Sequence, residues 1–415
     1  MYFLSFTAVF ASLTLIELGS LSYVVSAIDS KSARALKSAK SKKMKEAGAE
    51  ITAPSLSPSD EPFLSKFIAV ALDFSCSSDD TNRVFCWGDN EDGQLGDGTQ
   101  IEKSTPVEVG VFNDFIHIAM GIKHVCVHYD TSKLKCWGDN TKGQLGNGSF
   151  TSSYSPVEIT DVGKIEQIAL GGRHTCAILE DDVLKCWGDN EDGQLGDGSN
   201  KSKSKSPVKV DVDGNIKEVA LGKFHSCALL EDNTLKCWGD NKDSQLGDGT
   251  ETKKSNTPVS VNVGGEIKQF AVGRSHSCVV LKDDTSKLKC WGDNSKGQLG
   301  DGTLTNRNNP TEISVGGDIK QITLGTFHTC ALLKDDTLKC WGSNEFGQFG
   351  DGSKVQVSIP TKIPADGNIK QIEVGKSHSC FLLENDTLKC SGSNEFGQLG
   401  DGTKTQSSYP VRVIK

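Results

Sequence analysis

Short apolar runs broken by glycine, aspartate or asparagine recur along the chain from about residue 65 to its end. The stretch over 225–250, HSCALLEDNTLKCWGDNKDSQLGDGT, shows the repeated unit most clearly. Apolar runs of this length between polar turns predict β-strands. One unit is predicted to hold strand a over 266–272, strand b over 276–281 and strand c over 288–292. Strand d is predicted to begin at the proline that closes each polar loop, such as Pro258.

The unit repeats seven times at a nearly fixed period. A Cys-Trp-Gly step begins at residues 86, 136, 186, 237, 290 and 340, and a seventh copy at Cys390 has Ser391 in place of tryptophan. Such a period is typical of units that bury their apolar faces only against neighbouring units. Seven units of four strands predict an all-β fold, a seven-bladed β-propeller of four-stranded antiparallel blades. Residues 67–72 and 411–414, at its two ends, are expected to meet at one seam.

Three motifs carry a family resemblance. They are G-x-x-H-[ST] at strand b, W-G-[DS]-N-x-x-G-Q-L-G-D-G after strand c, and P-V at strand d. Over 65–415 this pattern resembles the regulator of chromosome condensation repeat family, and the paired cysteines resemble its secreted members. The resemblance implies a seven-bladed propeller. Members include the nuclear exchange factor for the GTPase Ran, a plant UV-B photoreceptor and a secreted bacterial β-lactamase inhibitor, so it implies no single activity.

The cysteines are the strongest chemical feature, with two in every repeat. The predicted pairs are Cys76 with Cys86, Cys126 with Cys136, Cys176 with Cys186, Cys227 with Cys237, Cys278 with Cys290, Cys330 with Cys340, and Cys380 with Cys390. A hairpin that turns over 231–233 places Cys227 opposite Cys237, at a Cα separation of about 4.5–5.5 Å that a disulfide can span. We predict seven disulfides and therefore an oxidising compartment. Buried thiols and zinc ligands are the alternatives, although structural zinc needs four ligands and each repeat offers three.

The chain before the repeats divides into two segments. Residues 1–27 have an apolar core over 3–16 and end in Val-Ser-Ala, which predicts a secretory signal peptide. An uncleaved membrane anchor is the alternative. Residues 28–64 are predicted to be a disordered linker, a propeptide or a basic arm, because 28–50 carry a net charge of +4 and 51–64 are rich in proline and serine. No other stretch reaches the roughly 20 apolar residues that span a membrane.

The remaining repeated residues have structural interpretations. A histidine precedes the first cysteine in six repeats, at His124, His174, His225, His276, His328 and His378, and Phe74 replaces it in the first. We expect these rings to be buried and to tie strand b to a neighbouring backbone, and the tryptophans to pack between blades. The Gly-Asp-Gly turns lack the ligand ladder of a calcium loop. No catalytic residue, cofactor or metal is expected. Sequons at Asn147, Asn200 and Asn385 are candidate glycosylation sites.

One face of the propeller is the candidate binding face. In an a-b-c-d meander the a–b turns and the long, variable c–d loops share a face, and variable loops on a rigid frame usually carry binding. If strand a is innermost, the a–b turns surround the central opening. They hold the basic residues Lys123, Arg173, Lys223, Arg274 and Lys376, with Phe224 and Phe327 beside them. This rim would attract an anionic partner; the alternative is that these are ordinary solvated turn residues.

These observations predict a secreted, monomeric, non-enzymatic binding or scaffold module that presents its variable loops to a protein or glycan partner. The net charge of residues 65–415 is −10, which argues against general nucleic-acid binding. The alternative function, a guanine-nucleotide exchange factor for a small GTPase, is implied by the resemblance alone.

Overall fold

A computed structural model describes residues 63–130, 132–282, 287–364 and 367–415. The predicted signal peptide over 1–27 lies outside the described residues, as does the predicted linker except for Phe63 and Leu64. Phe63 is buried, and Leu64 forms an isolated β-bridge with Thr387. Packing contacts of the propeller therefore include at least two residues before the predicted boundary at residue 65.

The described residues form seven four-stranded antiparallel sheets, one per repeat, which confirms the predicted propeller. The first four blades contain β1 (Phe67–Val70), β2 (Phe74–Ser78), β3 (Arg83–Gly88) and β4 (Lys103–Val111); β5 (Phe115–Met120), β6 (His124–Tyr129), β7 (Lys133–Gly138) and β8 (Ser153–Ile159); β9 (Ile165–Leu170), β10 (His174–Leu179), β11 (Leu184–Asp189) and β12 (Lys203–Val210); and β13 (Ile216–Leu221), β14 (His225–Leu230), β15 (Leu235–Asp240) and β16 (Lys254–Val261). The last three contain β17 (Ile267–Val272), β18 (His276–Leu281), β19 (Leu288–Gly292) and β20 (Arg307–Ile313); β21 (Ile319–Leu324), β22 (His328–Leu333), β23 (Leu338–Gly342) and β24 (Val357–Ile363); and β25 (Ile369–Val374), β26 (His378–Leu383), β27 (Leu388–Gly392) and β28 (Ser407–Arg412).

Strand a of each blade is innermost. Strands β1, β5, β9, β13, β17, β21 and β25 contact one another around the ring, whereas the fourth strands pair only within their own blades. The a–b turns and c–d loops consequently share one face, which we name the loop face. The b–c and d–a turns form the opposite face, which we name the turn face. This arrangement confirms the strand order on which the candidate binding face depends.

Strand d starts earlier than the sequence predicts. In blade four, Cys237 pairs with Val259, but Gly239 pairs with Ser255, so three residues of β16 oppose one residue of β15. Pro258 lies inside this bulge, where the ladder does not need its missing N–H. The strand therefore continues on the N-terminal side of the proline, from Lys254.

All seven predicted disulfides are present, and each joins strands b and c of one blade at a Cα–Cα distance of 4.1 Å. Every one of the fourteen cysteines is fully buried. The longer separation between Cys278 and Cys290 leaves the two residues directly opposite each other, as an even insertion requires. The bonds join Cys76 to Cys86, Cys126 to Cys136, Cys176 to Cys186, Cys227 to Cys237, Cys278 to Cys290, Cys330 to Cys340, and Cys380 to Cys390.

The pairing excludes the two alternatives for the cysteines. The structure has no free cysteine, so the interpretation as buried thiols is wrong. A sulfur that is bonded to another sulfur cannot serve as a thiolate ligand, so the interpretation as zinc ligands is wrong as well.

The tryptophans fasten each blade to the one before it. Trp137 of blade two donates its Nε1–H to the Gln94 carbonyl of blade one at 2.9 Å, and five other tryptophans do the same. The indole covers the glycine two residues after that glutamine, and a Cβ on Gly96 would lie 2.6 Å from Trp137 Nε1. Blade seven has only Ser391, whose hydroxyl donates to Gln348 O at 3.3 Å. Phe349 replaces the leucine of the other repeats beside it.

The histidines also link blades, but through a side chain rather than through the backbone partner that we predicted. His124 Nε2 lies 2.9 Å from Thr175 Oγ1 of the next blade, and the other five histidines make the equivalent contact. Thr175 Oγ1 in turn donates to Gln144 O at 2.8 Å. The hydroxyl therefore accepts the Nε2–H of a neutral imidazole. Burial lowers the pKa of His124 to about 4 and of the other five to about 3.

The junction between blades one and two departs from this pattern at three positions together. Phe74 stands in place of histidine, and Val125 stands in place of the serine or threonine that would receive it. Both are buried in one apolar cluster. Ala71 stands where the other six repeats have glycine. At Gly121, one of these glycines, an added Cβ would lie 2.3 Å from Cε1 of the His124 imidazole. The apolar pair thus replaces the polar one as a unit.

The ring closes without exchange of a strand between blades. Phe63, Ile68 and Trp87 of the first repeat share a buried cluster with Leu388 and Val413 of the last. Val411 packs against the same cluster, so the two ends of the repeat region are neighbours, as predicted. The Lys376 N–H donates to Leu72 O at 3.1 Å across the same seam.

Candidate functional site

One residue from each a–b turn lines the central opening on the loop face. It is the residue that follows the first glycine of the turn, or that follows Ala71 in blade one. These residues include Leu72, Ile122, Gly172, Lys223, Arg274 and Thr326. The five predicted basic residues occupy two different turn positions. Lys223, Arg274 and Lys376 directly follow the glycine, whereas Lys123 and Arg173 come one residue later, at the position of Phe224 and Phe327.

Three of the five cations are paired with carboxylates of a neighbouring blade. Lys123 forms an ion pair with Asp92, Lys376 Nζ lies 3.5 Å from Asp73 Oδ2, and Arg173 Nε lies 3.9 Å from Asp139 Oδ2. Sequence reasoning missed these pairs because the carboxylates come from other repeats. Asp92 and Asp73 therefore offset most of the positive charge of Lys123 and Lys376.

The other two cations lie on aromatic rings. Lys223 Nζ is 4.4 Å from the Phe224 ring centroid, and Arg274 Cζ is 5.6 Å from the Phe327 ring centroid. Neither has a carboxylate within 4.0 Å among the residues that the structure describes. Burial lowers the pKa of Lys223, and the nearby Arg274 and Arg173 lower it further. The predicted ring of cations is thus a sector on blades three to six, which we name the rim sector: Arg173, Lys223, Phe224, Arg274 and Phe327.

The variable loops of this face stand on a rigid base. In blade five, Asn294 Oδ1 accepts the Leu299 N–H at 3.0 Å, and its Nδ2 donates to Thr305 O at 3.1 Å and to Asp301 Oδ1 at 3.0 Å. Asp301 Oδ1 also accepts the Thr303 N–H at 2.9 Å. The Asp of Gly-Asp-Gly therefore has a hydrogen-bonding role within its own loop, and the exposed residues beyond it vary freely.

The three sequons lie on both faces. Asn147 and Asn200 are exposed in loop-face loops of blades two and three, and Asn385 is exposed in the b–c turn of blade seven. Asn147 takes the place of the aspartate in Gly-Asp-Gly, and its Oδ1 accepts hydrogen bonds from Asn140, from Ser149 N and from Ser149 Oγ. The loop geometry thus tolerates asparagine without the loss of an acceptor.

A second basic feature of the loop face escaped the sequence analysis. Lys201, Lys203 and Lys205 are exposed at every second position before Pro207, and the Phe150 ring of blade two lies against the last two. The alternation NKSKSKS was visible in the sequence. The aromatic partner was not, because it comes from the preceding repeat.

The described residues contain no group of three or more metal-ligating side chains and no helix of the length and hydropathy that would cross a membrane. The buried His–Ser/Thr pairs recur six times and are closed to solvent, so their geometry serves blade packing.

A disulfide-bonded, seven-bladed repeat propeller is the class of protein that this geometry defines. The sequence models of the regulator of chromosome condensation (RCC1) repeat match residues 81–128, 136–178, 185–229, 233–280, 290–332 and 335–382. The chain belongs to this repeat family.

Individual relatives match only in part. The human probable E3 ubiquitin-protein ligase HERC4 is 36% identical over 127 residues, which is 30% of this chain and 12% of that protein. The matched segment is thus a small part of the relative. Among solved structures, human WBSCR16 has a TM-score of 0.70 at 21% identity, covering 80% of this chain and 94% of its own. Prp20p from Saccharomyces cerevisiae, which was studied for binding to Gsp1p and histones, has a TM-score of 0.70 at 24% identity, covering 87% and 91%. These structural likenesses show the fold.

Proposed function

We propose that the protein is a secreted, non-enzymatic binding module that holds an anionic protein or glycan on its loop face. Seven buried disulfides support this proposal, because such bonds form and persist in oxidising compartments. The predicted signal peptide over 1–27 points to the same compartment. The exchange-factor alternative rests on the family alone, and a nuclear or cytosolic location would not favour the disulfides.

The observation that carries the proposal is the rim sector. Lys223 and Arg274 are half-buried, lie on aromatic rings and have no paired carboxylate among the described residues. A cation that is partly desolvated and unpaired attracts an anion more strongly than one in a surface ion pair. The surrounding loops are clamped to the frame, so little ordering entropy opposes binding.

The test uses the full chain with a C-terminal tag, expressed in a eukaryotic secretory host. We expect the protein in the medium, and retention inside the cell would contradict secretion. The binding probe is poly-L-glutamate, which stands for an acidic polypeptide. We expect salt-sensitive binding that weakens about tenfold in the double variant Lys223→Gln/Arg274→Gln, since each lost charge contact is worth about 0.5–1 kcal/mol.

The matched control removes two cations from the turn face. Lys282 is paired with Glu266 and Lys334 with Asp318, both far from the opening. Lys282→Gln/Lys334→Gln makes the same change in net charge and should bind the probe as the wild type does. Equal weakening in both double variants would show that net charge alone acts and would exclude the rim sector as the site.

A further inference from the structure

The outer edge of blade three carries an uncommon concentration of lysine. Lys203 and Lys205 lie in β12, the outermost strand, and Lys201 precedes them. All three are exposed, and none forms an ion pair with a carboxylate among the residues that the structure describes. Alternate residues of a strand point to one side, about 7 Å apart, so Lys203 and Lys205 form a short line of positive charge.

An aromatic ring lies within this line. Lys203 Nζ is 4.2 Å and Lys205 Nζ is 5.7 Å from the centroid of Phe150, which comes from the c–d loop of blade two. The Gly148 N–H donates to Lys205 O at 3.1 Å and holds that loop against β12. Phe150 remains 42% exposed, so part of the ring is open to a ligand. We name Lys201, Lys203, Lys205 and Phe150 the lysine track.

Glu191, a carboxylate whose charge interacts with that of Lys203, does not neutralise the track. The pKa of Glu191 is lowered first by its hydrogen bond with Lys142, and Lys203 is only a minor cause. Glu191 forms its ion pair with Lys142. Lys203 Nζ donates to Thr141 O at 3.2 Å, which fixes the side chain without cancelling its charge.

Protection of an open sheet edge does not explain the track. Lysine on an edge strand deters pairing with another chain. The other six outermost strands have the same open edge, but each has at most one basic residue within the strand before its proline. Lys253 and Lys254 of the next blade are also exposed and extend the positive region toward blade four.

We propose that the lysine track binds a linear anionic polysaccharide. The spaced cations match a repeating anion along a chain, and a partly exposed aromatic ring between them provides a flat apolar surface for a sugar ring. A nucleic acid is the less favoured polyanion, because the disulfides suit a compartment outside the cytosol and the whole chain carries a net charge of −9. The inference rests on the proposed function only in taking the protein to be a secreted binding module.

The test measures binding to two probes, heparin as a sulfated polysaccharide and inorganic polyphosphate as a polyanion without sugar rings. Lys203→Gln/Lys205→Ser introduces residues that another repeat holds at these positions, Gln356 and Ser358 in blade six. We expect it to weaken binding to both probes about tenfold and to reduce the salt dependence by roughly one counterion per lysine. Phe150→Gln should weaken binding to heparin alone.

The matched control is Lys354→Gln/Lys404→Gln, which removes two exposed lysines from the same kind of loop on blades six and seven. It should bind both probes as the wild type does. Heparin binding that survives in Lys203→Gln/Lys205→Ser would overturn the proposal, and equal loss in the control would assign the effect to net charge. Equal loss of both probes in Phe150→Gln would refute sugar stacking.

Two further arms separate this site from its surroundings. Removal of N-glycans with a glycosidase should leave binding unchanged or stronger, because Asn200 neighbours Lys201; a loss of binding would place the polysaccharide contact on the glycan. Lys223→Gln/Arg274→Gln should retain heparin binding while its binding to poly-L-glutamate weakens about tenfold. If Lys203→Gln/Lys205→Ser keeps its heparin binding while Lys223→Gln/Arg274→Gln weakens poly-L-glutamate binding, the lysine track is refuted and the proposed function still stands.

Discussion

His378 Nε2 lies 3.1 Å from Ser75 Oγ, although 303 residues separate them in the sequence. The contact joins the last blade to the first with the geometry that joins the other histidine-bearing blades to their successors. Closure of the ring is therefore one more copy of the ordinary inter-blade contact. It needs no strand contributed by the opposite terminus.

Replacement of His378 by phenylalanine should destabilise the propeller by about 1–3 kcal/mol, because Ser75 loses its buried donor. The matched rescue copies the apolar pair at the junction of blades one and two by combining His378→Phe with Ser75→Val. Gly375 is kept, because a Cβ there would lie 2.2 Å from the Ala71 carbonyl oxygen. Denaturant unfolding should show the double variant to be more stable than His378→Phe alone. A double variant with strictly additive losses would contradict the interpretation of Phe74 and Val125 as one unit.

The junction of blades six and seven should accept a restored tryptophan only together with a smaller neighbour. Ser391→Trp alone should overpack against Phe349 and Pro410, at a cost of about 1–3 kcal/mol. Phe349→Leu alone should enlarge the existing cavity and cost about 1 kcal/mol. The double variant restores the residues of the other junctions. Its change in thermal stability should therefore be more favourable than the sum of the changes in the two single variants. The absence of coupling would show that the two exceptions arose independently.

Glu218 should make the stability of blade four depend on pH. Gln167, at the equivalent position of blade three, bonds Val219 of the next blade through both its side-chain Nε2 and Oε1 atoms. Glu218 is buried, its Oε1 has no partner among the described residues, and burial raises its pKa to about 8 while Lys217 opposes the shift. A raised carboxyl pKa destabilises the folded state once pH exceeds the unfolded value near 4.3, so stability should fall as pH rises to about 8.

Glu218→Gln should remove this dependence and add on the order of 2–4 kcal/mol above pH 8, with little change near pH 4. The measurement is the midpoint of thermal unfolding from pH 4 to 9 for both proteins. Gln167→Glu is the reciprocal control and should acquire the pH dependence. Parallel curves for the wild type and Glu218→Gln would refute the prediction.

Native protein should contain no titratable thiol, and a mild reductant should not reach the disulfides. All fourteen sulfurs are buried, so reduction requires unfolding first. We expect no colour with a thiol reagent in native buffer and fourteen thiols after reduction in denaturant. Removal of one bridge, as Cys227→Ala/Cys237→Ala, should cost about 2–3 kcal/mol because its loop is short. Free thiol in the native protein would contradict the structure.

Asn147→Asp tests glycosylation without disturbing the loop. Aspartate occupies this position in the other repeats and can accept the hydrogen bonds that Asn147 Oδ1 accepts from Asn140 and Ser149. The secreted variant should migrate as a species smaller by one glycan, with an unchanged unfolding midpoint. Identical migration of the variant and the wild type would show that Asn147 is unmodified.

The sequence predicted what each repeat determines by itself. Strands b and c of blade five have the predicted bounds. Strand pairing and the alternation of side chains fix which residues lie opposite each other near His276 and Cys290. The start of strand d was missed because the bulge at Pro258 depends on pairing with strand c rather than on local propensity.

Features built from two repeats were harder to predict. The hydroxyl partner of His124 and the carboxylate partner of Lys376 both come from neighbouring blades. The repeat spacing in a single sequence predicts the strands of each blade, but it does not predict how one blade is rotated relative to the next. The position of the basic residues on the loop face was therefore predictable, whereas their neutralisation by Asp73 and Asp92 was not.

The short span of the disulfides has a consequence for how the protein is made. Fourteen free cysteines can pair in on the order of 10⁵ ways, yet each native partner lies only ten or twelve residues away. In the secretory route that we propose, each hairpin would offer its two cysteines at the translocation pore before the next repeat has been synthesised. We expect oxidation to proceed vectorially, one blade at a time and with few competing partners. Ring closure through His378 and Ser75, by contrast, must wait for the final repeat, so six of the seven disulfides can form before the ring closes.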